Sequence, residues 1–118
     1  MQTFENQAHQ GDVYLRRVNI LPATAAPVDP VNGRVTLALG ETSGHHHSLL
    51  GRATLFRDDG AGSGGFFLRV DAPTALEHLS GSNAPTGEHA AFLVPLGIFA
   101  LPPQQEWTDA DEPVQVAD

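Results

Sequence analysis

The chain contains no cysteine and no lysine. The first absence excludes a disulfide framework and every thiolate metal site. The second leaves six arginines as the whole cationic complement against 14 acidic residues, for a formal net charge of −8. An acidic surface of that kind repels a phosphate backbone, so extended nucleic acid is not an expected partner. The only adjacent basic pair, Arg16-Arg17, would point to opposite faces of a strand. Long apolar runs are missing too. No stretch approaches the roughly 18 residues that a membrane-spanning helix needs. Residues 1–10 are polar and carry no apolar leader core, so neither a membrane protein nor a secreted one is expected, and a cytoplasmic location fits.

What is present suits one small globular unit. Hydrophobic residues make up 41 % of 118, enough for a single modest core and too many for a disordered chain. Breakers are frequent, with 12 glycines and nine prolines, and the segments between them are short and alternate with period two. Residues 11–18 read as a strand. After a proline-rich connection, Asn32-Gly33 signals a tight turn. Val35, Leu37 and Leu39 then alternate with Thr36 and Ala38. Further strands are expected over residues 48–56, 66–70, 75–79, 88–94 and 98–101. In residues 88–94, Glu88, Ala90, Phe92 and Val94 would share one face, with His89, Ala91 and Leu93 on the other. No window carries a 3.6-residue period, so helix amounts to a turn or two near residues 73–79. Seven or eight short strands predict an all-β fold, a small single-domain β-barrel or sandwich over residues 1–107. Residues 108–118, with Asp109, Asp111, Glu112 and Asp118, read as a flexible acidic tail.

Chemistry concentrates in the histidines. Five of the six fall in three segments: His45-His46-His47, His78, and His89 beside Glu88. His45 and His47 are two apart, so a strand would project both imidazoles from one face, with His46 turned the other way. Neutral imidazoles bind divalent metals and move protons near neutral pH. The expected metal ligands are His45, His47, His78 and His89. Glu88 and His89 are the candidate acid/base residues, although opposite faces of one strand would let only one of them reach a common site without a bulge. Glu41 could orient a histidine through its second nitrogen. Three imidazoles with a carboxylate suit zinc, iron, manganese or nickel and leave positions for water or a small-molecule ligand. Gly60, Gly62 and Gly65 spell G-x-G-x-x-G, but a strand follows where a dinucleotide site needs a helix, so the motif marks a loop. No serine lies in a G-x-S-x-G elbow.

Gly40 followed by His45-His46-His47, and the Pro95-Leu96-Gly97 turn, resemble the two motifs of the cupins, which implies a cupin-like barrel. The chain departs from that pattern twice. Ser48-Leu49-Leu50-Gly51-Arg52 holds no glutamate, and Ile98, Phe99 and Ala100 stand where the third cupin histidine belongs. A standard cupin metal set is therefore not encoded. A second resemblance covers most of the chain. Gln10-Gly11-Asp12, Gly40-Glu41-Thr42-Ser43-Gly44-His45-His46-His47, Glu88-His89, Pro95-Leu96-Gly97 and Gln104-Gln105-Glu106-Trp107 are similar to segments shared by small bacterial and phage proteins of uncharacterised function. That resemblance implies one structural unit and no particular activity.

Three function classes follow. The first is a metal-binding protein with a histidine-rich pocket, extending to a metal-dependent enzyme on a small polar substrate. The second is metal-free acid/base chemistry on a phosphodiester by paired histidines, as in a ribonuclease. The third is a noncatalytic accessory or structural module of a phage or defence system. An exposed apolar edge over residues 92–101 would allow a homodimer.

Overall fold

The computed structural model describes residues 1–39, 44–59 and 65–102, with backbone alone at 38 and 39. Among them are ten β-strands and no helix. The strands are β1 (Gln7–Gln10), β2 (Val13–Val18), β3 (Ala26–Val28), β4 (Arg34–Leu39), β5 (His46–Leu50), β6 (Ala53–Asp58), β7 (Gly65–Val70), β8 (Thr74–Leu79), β9 (Phe92–Val94) and β10 (Gly97–Leu101). They form two antiparallel sheets, β1-β2-β10-β7-β6-β3 and β4-β5-β8-β9. One cluster of buried side chains draws on both. Ala8, Val13, Leu15, Leu55, Leu68, Val70 and Phe99 come from the larger sheet, and Val35, Leu49, Leu76, Phe92 and Val94 from the smaller. The sheets therefore face one another as a sandwich, and no closed barrel forms among the described residues.

The chain changes sheet hairpin by hairpin. The β4–β5 hairpin lies in the small sheet, β6–β7 in the large one, and β8–β9 in the small one again. Gly51 and Arg52, both at positive φ (74° and 53°), make the turn from β5 to β6. The expected continuous strand over residues 48–56 is therefore two strands in different sheets, because two successive left-handed residues end the extended run. The Asn32-Gly33 turn is present, with φ of 52° and 75° and reciprocal backbone hydrogen bonds between Val31 and Arg34 of 2.9 and 3.0 Å. It joins β3 and β4, which belong to different sheets.

Other expectations are refined or corrected. β1 lies in the polar N-terminal stretch, where Ala8 and Gln10 point inward and are fully buried. β3 occupies the proline-rich connection, and Pro27 is tolerated because β3 is an edge. Residues 75–79, expected as a strand, lie in β8, and no helical turn forms near residues 73–79. Of residues 88–94, only Phe92–Val94 is strand, and of residues 11–18, Gly11 and Asp12 form the turn out of β1.

The apolar edge expected over residues 92–101 does not exist. β10 sits inside the large sheet between β2 and β7. The β9 edge is covered by the N-terminal segment, through Leu93 N–H donating to the Gln2 carbonyl at 2.8 Å and the Thr3 hydroxyl donating to the Leu93 carbonyl at 2.9 Å. Glu41, most of the Gly60–Gly65 glycine motif, the Gln104-Gln105-Glu106-Trp107 segment and the acidic tail lie outside the described residues. No helix of the described residues is long and apolar enough to cross a membrane.

Candidate metal centre

The sandwich positions the histidines through strand register. His47 of β5 lies directly opposite His78 of β8, two pairs along from Leu49 opposite Leu76. Leu49 and Leu76 are both core residues, so the same inward face carries the imidazoles toward one end of the sandwich. The His47 and His78 ring centroids are 4.7 Å apart. His45 stands just before β5 and places its ring 5.3 Å from that of His78, so the two-residue spacing delivers His45 and His47 to the same imidazole.

The Glu88-His89 pair reaches the same place from outside any strand. His89 lies 4.8 Å from His78 and 5.9 Å from His47 by ring centroid. Glu88 brings Oε1 to 3.1 Å from Nδ1 of His45. The expectation that only one of the pair could reach the site is thus overturned. Both precede β9, in a loop that follows Gly87 at φ 76°, so the alternation of a pleated strand does not govern them. Thr86 anchors this loop. Its backbone N–H donates to the His78 carbonyl at 3.2 Å, its hydroxyl bonds Nδ1 of His78, and that hydroxyl also accepts the Glu88 N–H at 3.2 Å.

One ligand atom each from His45, His78 and Glu88 lies within 4.8 Å of the others. Among the described residues those three form a group that could hold an ion, and His47 and His89 flank it. Burial grades across the pocket. His47 and His78 are more than nine-tenths buried, His45 is about 29 % exposed at its side chain, and Glu88 is 55 % exposed. An ion here would have a dry imidazole floor and a carboxylate at the solvent side.

Burial pushes the His78 imidazole below its ordinary value, and the neighbouring His89 adds to the effect. Glu88 opposes the shift, while His45 and His46 reinforce it more weakly. His78 is thereby kept neutral at neutral pH, the form in which a histidine ligates. The same shift predicts a pH dependence of stability. Above the unfolded value of 6.5 His78 is neutral in both states and contributes no slope. As pH falls from there through the lower folded value, the unfolded chain binds the proton first and the native state loses stability. Urea unfolding across this window should show the midpoint falling with pH, with a shallower slope in His78→Gln.

His46 takes the opposite face, as its place in the triplet implies. Nδ1 bonds the Ser48 hydroxyl at 2.6 Å and Nε2 bonds Asn83 Oδ1 at 2.9 Å. The Ser48 hydroxyl is also 3.0 Å from that of Thr36. This network ties β4, β5 and the loop after β8 together on the outer side of the small sheet and takes no part in the pocket.

Two pocket residues escaped the search for chemistry-bearing side chains. Gln10 is fully buried, and its Oε1 lies 2.8 Å from Nδ1 of His47. Gly11 has φ 55°, and a Cβ there would sit 3.1 Å from Nε2 of His89 and 3.3 Å from Cε1 of His47. Both belong to the Gln10-Gly11-Asp12 segment, whose recurrence was the one available signal. Elsewhere, an apolar groove of about 380 Å³ opens between β3 and β4, lined by Val28, Val31, Leu37, Leu55 and Phe66 among others. It contains no histidine, and the imidazole pocket is where titratable groups converge.

Fold and site together define a small all-β sandwich protein with a histidine–carboxylate pocket at one end. The chain belongs to the family described as Domain of unknown function (DUF8820), whose model matches residues 9–104. The match takes in Gln10 and every pocket residue, and it agrees with the expectation of a family of uncharacterised function. No curated protein and no solved structure matches the chain.

Proposed function

We propose that this protein binds a divalent first-row transition metal in the pocket of His45, His78 and Glu88, and that the bound ion acts on a small polar ligand. The observation that carries the reading is the convergence of two imidazoles and a carboxylate within 4.8 Å, drawn from three separate segments. Two histidines and one carboxylate with open positions is a donor set used by non-haem iron(II), and three protein ligands with an open position is the pattern of catalytic zinc. Manganese and nickel accept the same ligands. The open positions would take water or a small hydroxylated molecule, and the ion would polarise it or lower the pKa of the bound water. His47 and His89 would surround that ligand. A cupin-like description of the scaffold rests on the histidine run at β5 and the Pro95-Leu96-Gly97 turn before β10.

Elemental analysis of untagged protein, dialysed separately against zinc, iron(II), manganese and nickel, tests this directly. About one ion per chain is expected, as a three-ligand site holds one. Both Glu88→Gln and the double variant His45→Ala/His78→Ala should lose it. A folded protein that retains no metal after any of the four dialyses would overturn the reading. Chelator-resistant ribonuclease activity in that protein would instead establish metal-free acid/base chemistry.

A further inference from the structure

Gln10 is an amide side chain with no exposure at all, buried beside His47. Burying such a group is costly unless each of its polar atoms is bonded. Here each one is. Nε2 donates to the Leu76 carbonyl at 3.0 Å and to the Ala90 carbonyl at 3.0 Å, and Oε1 meets Nδ1 of His47 at 2.8 Å. A carbonyl oxygen can only accept, so the two carbonyls fix which end of the amide carries the NH₂ group. The oxygen must therefore be the end facing His47. An amide oxygen also can only accept, so the proton of that contact resides on Nδ1 of His47.

A neutral imidazole protonated at Nδ1 has its lone pair at Nε2. We propose that Gln10 is the positioning residue of the pocket: it holds His47 as the Nδ1–H tautomer, with Nε2 as the accepting nitrogen of the ring. Gln10 also sets the spacing of the site. Leu76 is two residues before His78 and Ala90 is next to His89, so one side chain from β1 braces β5, β8 and the Glu88-His89 loop together. Gly11, at positive φ and in close approach to the His47 and His89 rings, lets the main chain leave Gln10 without filling the pocket.

The inference uses the pocket proposed above for the metal, but its test needs no metal. The full chain, labelled with ¹⁵N-histidine and stripped with chelator, is observed by long-range ¹H–¹⁵N correlation above the titration range of histidine. The resonances of His47 are assigned by their loss in His47→Gln. The expected spectrum shows a protonated Nδ1 and an unprotonated Nε2 for His47. In Gln10→Met, which keeps length and removes the acceptor, the Nδ1–H signal should be lost in favour of Nε2–H. Gln10→Glu, which keeps the acceptor oxygen, should retain Nδ1–H. A wild-type His47 protonated at Nε2 would overturn the proposal, as would a Gln10→Met protein whose His47 remains Nδ1–H. If Gln10→Met does not fold, the wild-type and Gln10→Glu spectra still decide. Failure of the metal reading would appear separately, as absent metal with the tautomer intact.

Discussion

Phe99→Ala should lower the free energy of unfolding by about 3–5 kcal/mol, the usual cost of removing a fully buried aromatic ring. Phe99 has no exposed surface and sits in β10, between β2 and β7 in the middle of the large sheet. Its ring packs edge-on against Phe4 at 5.5 Å, and the Arg17 guanidinium lies 4.9 Å over it. That guanidinium is itself held by the Glu5 and Leu96 carbonyls at 2.7 and 3.0 Å. The ring therefore supports the N-terminal segment as well as the core, and its loss leaves a cavity that a well-paired central strand cannot collapse into. Single domains have only about 5–15 kcal/mol in all, so the variant should unfold far earlier in urea. Leu96→Ala is the control, because Leu96 is 61 % exposed and surface changes usually stay within about 0.5 kcal/mol. Equal midpoints for the two variants would contradict the placement of β10 at the centre of the sheet.

The second large effect is metal-dependent. A ligand bound only by the native state stabilises it by about 2.7 kcal/mol at 100 times its Kd. At roughly 4 °C per kcal/mol for a domain a little over 100 residues long, the Tm should rise by about 10 °C. Glu88→Gln should abolish most of that rise while leaving the metal-free Tm near that of the wild type, since the Glu88 side chain is 55 % exposed and packs no core. Differential scanning calorimetry with and without zinc, manganese or nickel reads both quantities. A rise of equal size in the variant would place the ion elsewhere, and no rise with any metal would count against a resident site.

Much of the architecture was legible because period-two alternation is a local property. β4 and β7 follow from the alternation of Val35-Thr36-Leu37 and Leu68-Arg69-Val70, and the tight turn at Asn32-Gly33 from the left-handed tolerance of those two residues. The errors fall where local signal and tertiary context part. β1 reads as polar because one of its two inward positions is Gln10, whose burial is acceptable only with partners contributed by residues 47, 76 and 90. Residues 48–56 read as one strand because Gly51-Arg52 is a weak breaker. Only the two-sheet arrangement shows that the chain crosses over there.

The pocket divides in the same way. The identity of its chemistry is written in the composition: imidazoles with one neighbouring carboxylate, no thiol, and no lysine to compete for an anion. The inward direction of His47 is likewise local, since strand geometry repeats every two residues, whereas His45 stands just before the first residue of β5. The assembly is not local. His78 faces His47 because β5 and β8 pair in one register, and a slip of one residue would turn it to the outer face. Glu88 and His89 both enter because they lie in a loop anchored by Thr86, where no pleat dictates direction. Composition and alternation determine an all-β chain with clustered histidines. Which histidines share a pocket, and which nitrogen of His47 carries its proton, are decided by strand register and by Gln10, whose partners lie 37 to 80 residues away along the chain.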